Sequence, residues 1–174
     1  MDLSSIQKRQ YDWFFVIIFA TFACTSFLVD MMGALHEIFI SRENPWILKR
    51  LLMETYADCD PMFILNPPFL RVAVTVSAFV WGPLYVFFVW GFLKGKNQIR
   101  IPGLMYSSAL TLGMLMIFAE ELFSSVPGWR SPLPWKFTAF NLPYLLVPIL
   151  MGLRMRKPFP FGQEESQKQG ESGV

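Results

Sequence analysis

Four long apolar stretches, separated by short polar ones, set the pattern of this chain. The first runs from Trp13 to Val29 without a charge, behind Lys8 and Arg9. At about 1.5 Å per residue, such a run covers most of the roughly 30 Å hydrocarbon core of a bilayer. Helix is expected to continue past Asp30 to Leu35. The second stretch spans Val72–Leu93 with Gly82-Pro83 near its middle, where the missing proline N–H predicts a kink or a local opening of the ladder. The third begins at Ile101 and reaches about Ala119, closed by Glu120 and Glu121. The fourth, Phe137–Leu153, contains Pro143 and Pro148 and is expected to be irregular. With helical flanks the spans are about 11–35, 69–93, 101–123 and 137–155.

Between the first and second spans the pattern changes. Trp46, Ile47, Leu51 and Leu52 sit among Lys49, Arg50 and Glu54, which predicts a short interfacial helix. Asp60-Pro61 and Asn66-Pro67-Pro68 then read as a rigid turn and a breaker. A Pro-, Gly- and Trp-rich loop (Val126–Trp135) joins the last two spans. Residues 163–174 form a polar tail rich in Gln, Glu and Ser, a composition that cannot bury enough apolar surface to fold. The expectation is an all-α, four-helix membrane bundle as one domain, residues 1–162. The first span is expected to be retained, since no A-x-A cleavage site follows it.

Composition agrees with lipid as the solvent. Of 174 residues, 53% are hydrophobic and 16% charged, against about a quarter charged in soluble domains. A net charge of +2 without a basic block argues against a nucleic-acid partner. Lys8, Arg9, Lys94, Lys96, Arg100, Arg154, Arg156 and Lys157 cluster at one set of span ends, so both termini are expected to be cytosolic.

Little in the sequence carries familiar chemistry. Cys24 and Cys59 have no metal or redox spacing, and His36, the one histidine, stands at the rim of the first span. No catalytic residue, metal or cofactor is expected. The acids matter more, because a carboxylate at membrane depth is costly and tends to mark function. Asp30 follows the first apolar run, and Asp60 adjoins the apolar Met62–Leu65. On spacing alone Asp30 could equally end its span at the headgroups, and Asp60 could be a turn cap. Of Glu120 and Glu121 one could point inward, but an interfacial pair is the default reading.

Leu28-Val29-Asp30-Met31, Asp60-Pro61 with Pro67-Pro68, Phe92-Leu93-Lys94-Gly95, Ile101-Pro102-Gly103 with Tyr106-Ser107, and Pro143–Pro148 follow in an order that resembles the expanded emopamil-binding protein (EXPERA) superfamily. The resemblance runs from about Tyr11 to Phe161, and the length and polar tail suit the family's fungal members. It implies an endoplasmic-reticulum protein, commonly a homodimer, with a pocket in the bundle that takes sterols or cationic amphiphiles. It makes Asp30 the carboxylate facing a ligand amine, Asp60 its hydrogen-bonded, proton-sharing neighbour, and Tyr144 a pocket wall. Met31, Trp81 and Tyr106 complete the implied ligand-binding set. The chain also departs from the family pattern. The second span lacks the expected Glu and Gln, and Ala109 and Gly113 stand where polar residues are usual. The implied function is therefore a non-enzymatic receptor for sterol-like ligands, with a role in lipid homeostasis or trafficking. The alternatives are a sterol Δ8-Δ7 isomerase, or a membrane chaperone or adaptor assisting mitochondrial precursor targeting.

Overall fold

The computed structural model describes residues 10–35, 54–56 and 58–162. The interfacial helix expected around Trp46–Leu52, His36, the N-terminal basic pair and the tail lie outside these residues. Four helices are long and apolar enough to cross a membrane: α1 (Tyr11–Ala34), α3 (Pro68–Lys94), α4 (Asn97–Phe123) and α5 (Pro134–Met155). A short helix, α2 (Pro61–Leu65), precedes α3. No strand occurs among the described residues. The fold class expected from the hydrophobic pattern is thus the one observed.

The bundle is two helical hairpins, α1 against α3 and α4 against α5. Aromatic packing joins them. Phe19 of α1 stacks on Tyr85 of α3 and meets Tyr106 of α4 edge to face, with centroids 5.8 Å apart in both cases. Phe22 stacks on Tyr144 of α5 at 4.2 Å. Close helix approach depends on glycine. A Cβ on Gly91 would lie 2.1 Å from Ile99 Cγ2, so no side chain fits there. Gly95 ends α3 in the left-handed region (φ 65°), where glycine alone is unstrained. It turns the chain so that the Lys96 N–H bonds the Gly91 carbonyl.

Lipid is the only solvent that suits the outer surface. Ile17, Val72, Met105, Leu112 and Leu153 are all more than half exposed. Tyr11, Trp13 and Trp90 near one set of helix ends, and Phe123 and Trp135 near the other, form aromatic girdles of the kind found at headgroup level. At the first end, Arg154 holds the buried Asp12 through two hydrogen bonds (3.0 and 3.3 Å) and lies over the Phe161 ring.

Two helices open locally. In α1, Ser26–Asp30 forms a π-turn in which the Met31 N–H reaches the Ser26 carbonyl. In α3, Ser77–Trp81 does the same, and the Gly82 N–H bonds the Ser77 carbonyl. The α3 opening is the one anticipated at Gly82-Pro83. By contrast, α5 runs unbroken through Pro143 and Pro148, so the irregularity expected there is absent. Each proline removes one ladder bond, and the helix keeps its course. The third span also continues beyond Glu120 and Glu121 to Phe123.

Candidate functional site

The two π-turns lie face to face, and their meeting builds a polar knot inside the bundle. Ser77 Oγ donates to Asp30 Oδ2 at 2.5 Å. Ser26 Oγ lies 3.2 Å from the same oxygen and 2.7 Å from the Ser77 carbonyl. A π-turn spends one extra residue per turn and widens the helix, a device frequent at functional sites. Here it brings Asp30 and both serines to one point.

Asp30 borders a cavity of about 340 Å³ between the hairpins. That volume falls in the range of small-molecule sites, which are mostly apolar with a few placed polar groups. The wall is of that kind: Val29, Leu70, Val74, Trp81, Met114 and Ile117 supply apolar surface around Asp30, Asp60, Ser77 and Tyr144. Tyr144 is fixed by a 2.6 Å hydrogen bond between its hydroxyl and that of Thr25. Gly113 also lines the space, and a Cβ built on it would meet nothing within 4 Å.

Asp60 sits at the loop end of the cavity. It caps α2, accepting the Phe63 N–H at 2.9 Å. Asn66, in the left-handed region, closes α2 and donates to the Gly33 carbonyl at 3.0 Å. Burial pushes the Asp60 carboxyl above its ordinary range, and hydrogen bonds from Glu121 and the Phe63 N–H pull it back only in part. Tyr56, its ring tilted against those of Phe63 and Phe140, is also pushed up, first by burial and then by Asp60. Outside the cavity, Lys136 grips Asp58 at 2.7 Å and lowers its carboxyl pKa.

Several expectations change here. Asp30 and Asp60 border one cavity but do not bond each other. Asp30 is held by Ser26 and Ser77, whereas Asp60 caps α2 through the Phe63 N–H and has the Glu121 carboxyl as its acidic neighbour. Of the two acids at the end of α4, Glu121 is the one that points inward: it is fully buried, and its Oε1 accepts the Met62 N–H at 3.3 Å. Of the implied ligand-binding set, Asp30, Asp60, Trp81 and Tyr144 line the cavity, whereas Met31 and Tyr106 do not. Tyr106 lies in the aromatic core, behind Trp81 and Tyr85. Reading the sequence missed Ser26, Ser77 and Glu121. A small polar residue inside each of two facing apolar spans was the available signal for the serines.

Comparison with known proteins agrees with this architecture. The chain is 28% identical to Sigma intracellular receptor 2 of Xenopus tropicalis over 171 residues, which covers 94% of this chain and 98% of that protein. It is 26% identical to the protein of the same name from Macaca fascicularis over 174 residues, covering 92% and 96%. The family model for EBP, described as EXPERA (EXPanded EBP superfamily), matches residues 47–155, which include α2 to α5 and all but the α1 wall of the cavity. The chain is therefore a multi-pass membrane member of the EXPERA family.

Proposed function

We propose that this protein is a non-enzymatic receptor that holds a sterol-like or cationic amphiphilic ligand within the bilayer. The observation that carries the reading is the carboxylate of Asp30, set by two serine hydroxyls in the wall of a largely apolar intramembrane cavity. A carboxylate so placed would pair with a ligand amine or accept from a hydroxyl, while the aromatic and aliphatic wall takes up the hydrocarbon body. The name of the two relatives, an intracellular receptor, supports both ligand binding and an internal membrane. The endoplasmic reticulum, cytosolic termini, a homodimer and a role in sterol homeostasis belong to the same proposal. Tags at the two ends should both be cleaved by protease added outside sealed microsomes, and protection of either would reverse the topology.

Double-bond isomerisation would need an acid and a base poised on opposite faces of the substrate. The carboxyls on the cavity are both engaged: Asp30 by two serines, Asp60 by a backbone N–H and Glu121. No turnover of a Δ8 sterol above that of empty membranes is expected, and measurable product would revive the isomerase.

The direct test is lipid mass spectrometry and thermal melting of the purified chain. A sterol should co-purify, and an amphiphilic amine at a hundredfold excess over Kd should stabilise by about 2.7 kcal/mol. Gly113→Leu should erase that shift by filling the cavity. It replaces a helix glycine that costs about 1 kcal/mol relative to alanine, so the fold should tolerate it. Bulk phospholipid alone, with no shift, would instead favour the adaptor reading.

A further inference from the structure

The cavity wall changes character along α3, from Leu70 and Val74 near the loop, through Ser77 beside Asp30, to Trp81 and Tyr85. Tyr85 lies further along α3 than Ser77, beyond the π-turn. At this inner end, Tyr85 meets Tyr106 of α4 edge to face, with ring centroids 5.6 Å apart and planes at 88°. The two tyrosines are 1% and 0% exposed. Each hydroxyl is the other's polar neighbour, yet neither makes a well-formed hydrogen bond with any protein atom. The rings of Phe19, Phe88 and Trp81 that pack against them offer no acceptor.

Donor counting sharpens the point. Two phenols bring two O–H donors, and a mutual bond uses only one of them. At least one donor is left without an acceptor in an apolar setting, where an unmade hydrogen bond is costly. Phenylalanine at either position would fill the same space without that cost. Tyr144 on the same wall is different, since Thr25 satisfies it.

We propose that Tyr85, backed by Tyr106, forms a second polar subsite at the inner end of the cavity, its hydroxyl donating a hydrogen bond to an acceptor oxygen on the body of a ligand anchored at Asp30. This deepens the receptor reading and rests on it. The ligand class is an elongated amphiphile with an amine or hydroxyl at one pole and a ketone, ether or hydroxyl oxygen on the part of its body remote from that pole. Contact requires the Tyr85 ring, itself part of the wall, to turn its tip toward the cavity. In so apolar a setting that bond is electrostatically stronger than in water.

The test uses a series of paired tertiary amines, the members of each pair differing only in carrying a ketone or a methylene on the body remote from the nitrogen and the pairs differing in that spacing. Each is titrated against the full chain in nanodiscs, as wild type, Tyr85→Phe and Tyr106→Phe. In at least one pair wild type should prefer the ketone about tenfold. Tyr85→Phe should lose the preference, its affinity for the ketone falling toward that for the methylene compound, and Tyr106→Phe should weaken or abolish the preference. Ligand-free Tyr85→Phe should melt no lower than wild type, because the hydroxyl it loses has no well-formed bond. Equal wild-type affinity for both members of every pair, or a preference that survives in both variants, would overturn the subsite alone. Binding of none of the compounds to wild type would overturn the receptor reading with it.

Discussion

Asp30→Asn should cut the affinity for a cationic amphiphile by on the order of a hundredfold or more while leaving the bundle folded. Removing one partner of a buried ion pair costs about 3–5 kcal/mol, and each 1.4 kcal/mol is tenfold in Kd. Asparagine keeps the size of the side chain and one acceptor oxygen, so Ser77 and Ser26 can still bond it. What it removes is the negative charge in the cavity wall. A neutral sterol, which needs only an acceptor or donor there, should lose tenfold or less, the worth of about one hydrogen bond. Ser77→Ala should fall between, since it frees the carboxylate from the 2.5 Å bond that orients it. Competition binding with a labelled amine on each variant, after melting has confirmed folding, separates the cases. Wild-type affinity in Asp30→Asn would remove the carboxylate from the ligand site.

How far the sequence could reveal this arrangement depends on how local each cause is. The four spans were legible because an uncharged apolar run of seventeen residues is long enough to need lipid around it. The opening of α3 was legible because Pro83 carries its own reason, a missing N–H. The matching opening in α1 was not, since Ser26–Asp30 contains neither proline nor glycine. It accompanies a contact with Ser77, fifty-one positions from Ser26, that no local pattern encodes. Glu121 was misread for a geometric reason. Adjacent residues on a helix point about 100° apart, so two neighbouring acids need not share an environment. Glu120 is half-buried, while Glu121 turns inward to the Met62 N–H. Tyr106 shows the converse limit. Resemblance placed it on the cavity, but Trp81 and Tyr85 stand in front of it.

Asp60 and Glu121 form the other sensitive point, and their variants should behave in opposite ways. The pair ties three segments together. Asp60 caps α2, Glu121 at the end of α4 accepts the Met62 N–H from the first turn of α2, and the Glu121 carbonyl accepts the Ser131 N–H from the loop before α5. Ser131 Oγ then donates to the Cys59 carbonyl, closing the knot. Glu121→Ala strands a buried N–H and leaves a void, and should destabilise by about 2–4 kcal/mol. Glu121→Gln keeps an acceptor for Met62 and offers an amide donor to Asp60, so it should melt near wild type. For Asp60 the charge itself is the burden. Its carboxyl is raised above the ordinary 3.8, chiefly by burial, so the folded state binds the proton more tightly than the unfolded chain. The stability this contributes is fully present below 3.8 and is lost as pH rises through the folded value. Asp60→Asn still caps α2, because asparagine and aspartate cap about equally well, and it has no charge to desolvate. It should therefore melt above wild type at neutral pH, with the advantage shrinking toward acid pH, whereas Asp60→Ala loses the cap and should melt below wild type throughout. The neighbours to account for are Tyr56, Cys59, Glu121 and the Asp58–Lys136 pair. Of these, Asp58 lies outside the buried knot and titrates with the opposite sign. Melting curves from pH 4 to pH 8 on the four variants decide the matter. A constant deficit for Asp60→Asn across that range would mean that Asp60 stabilises the fold as an anion.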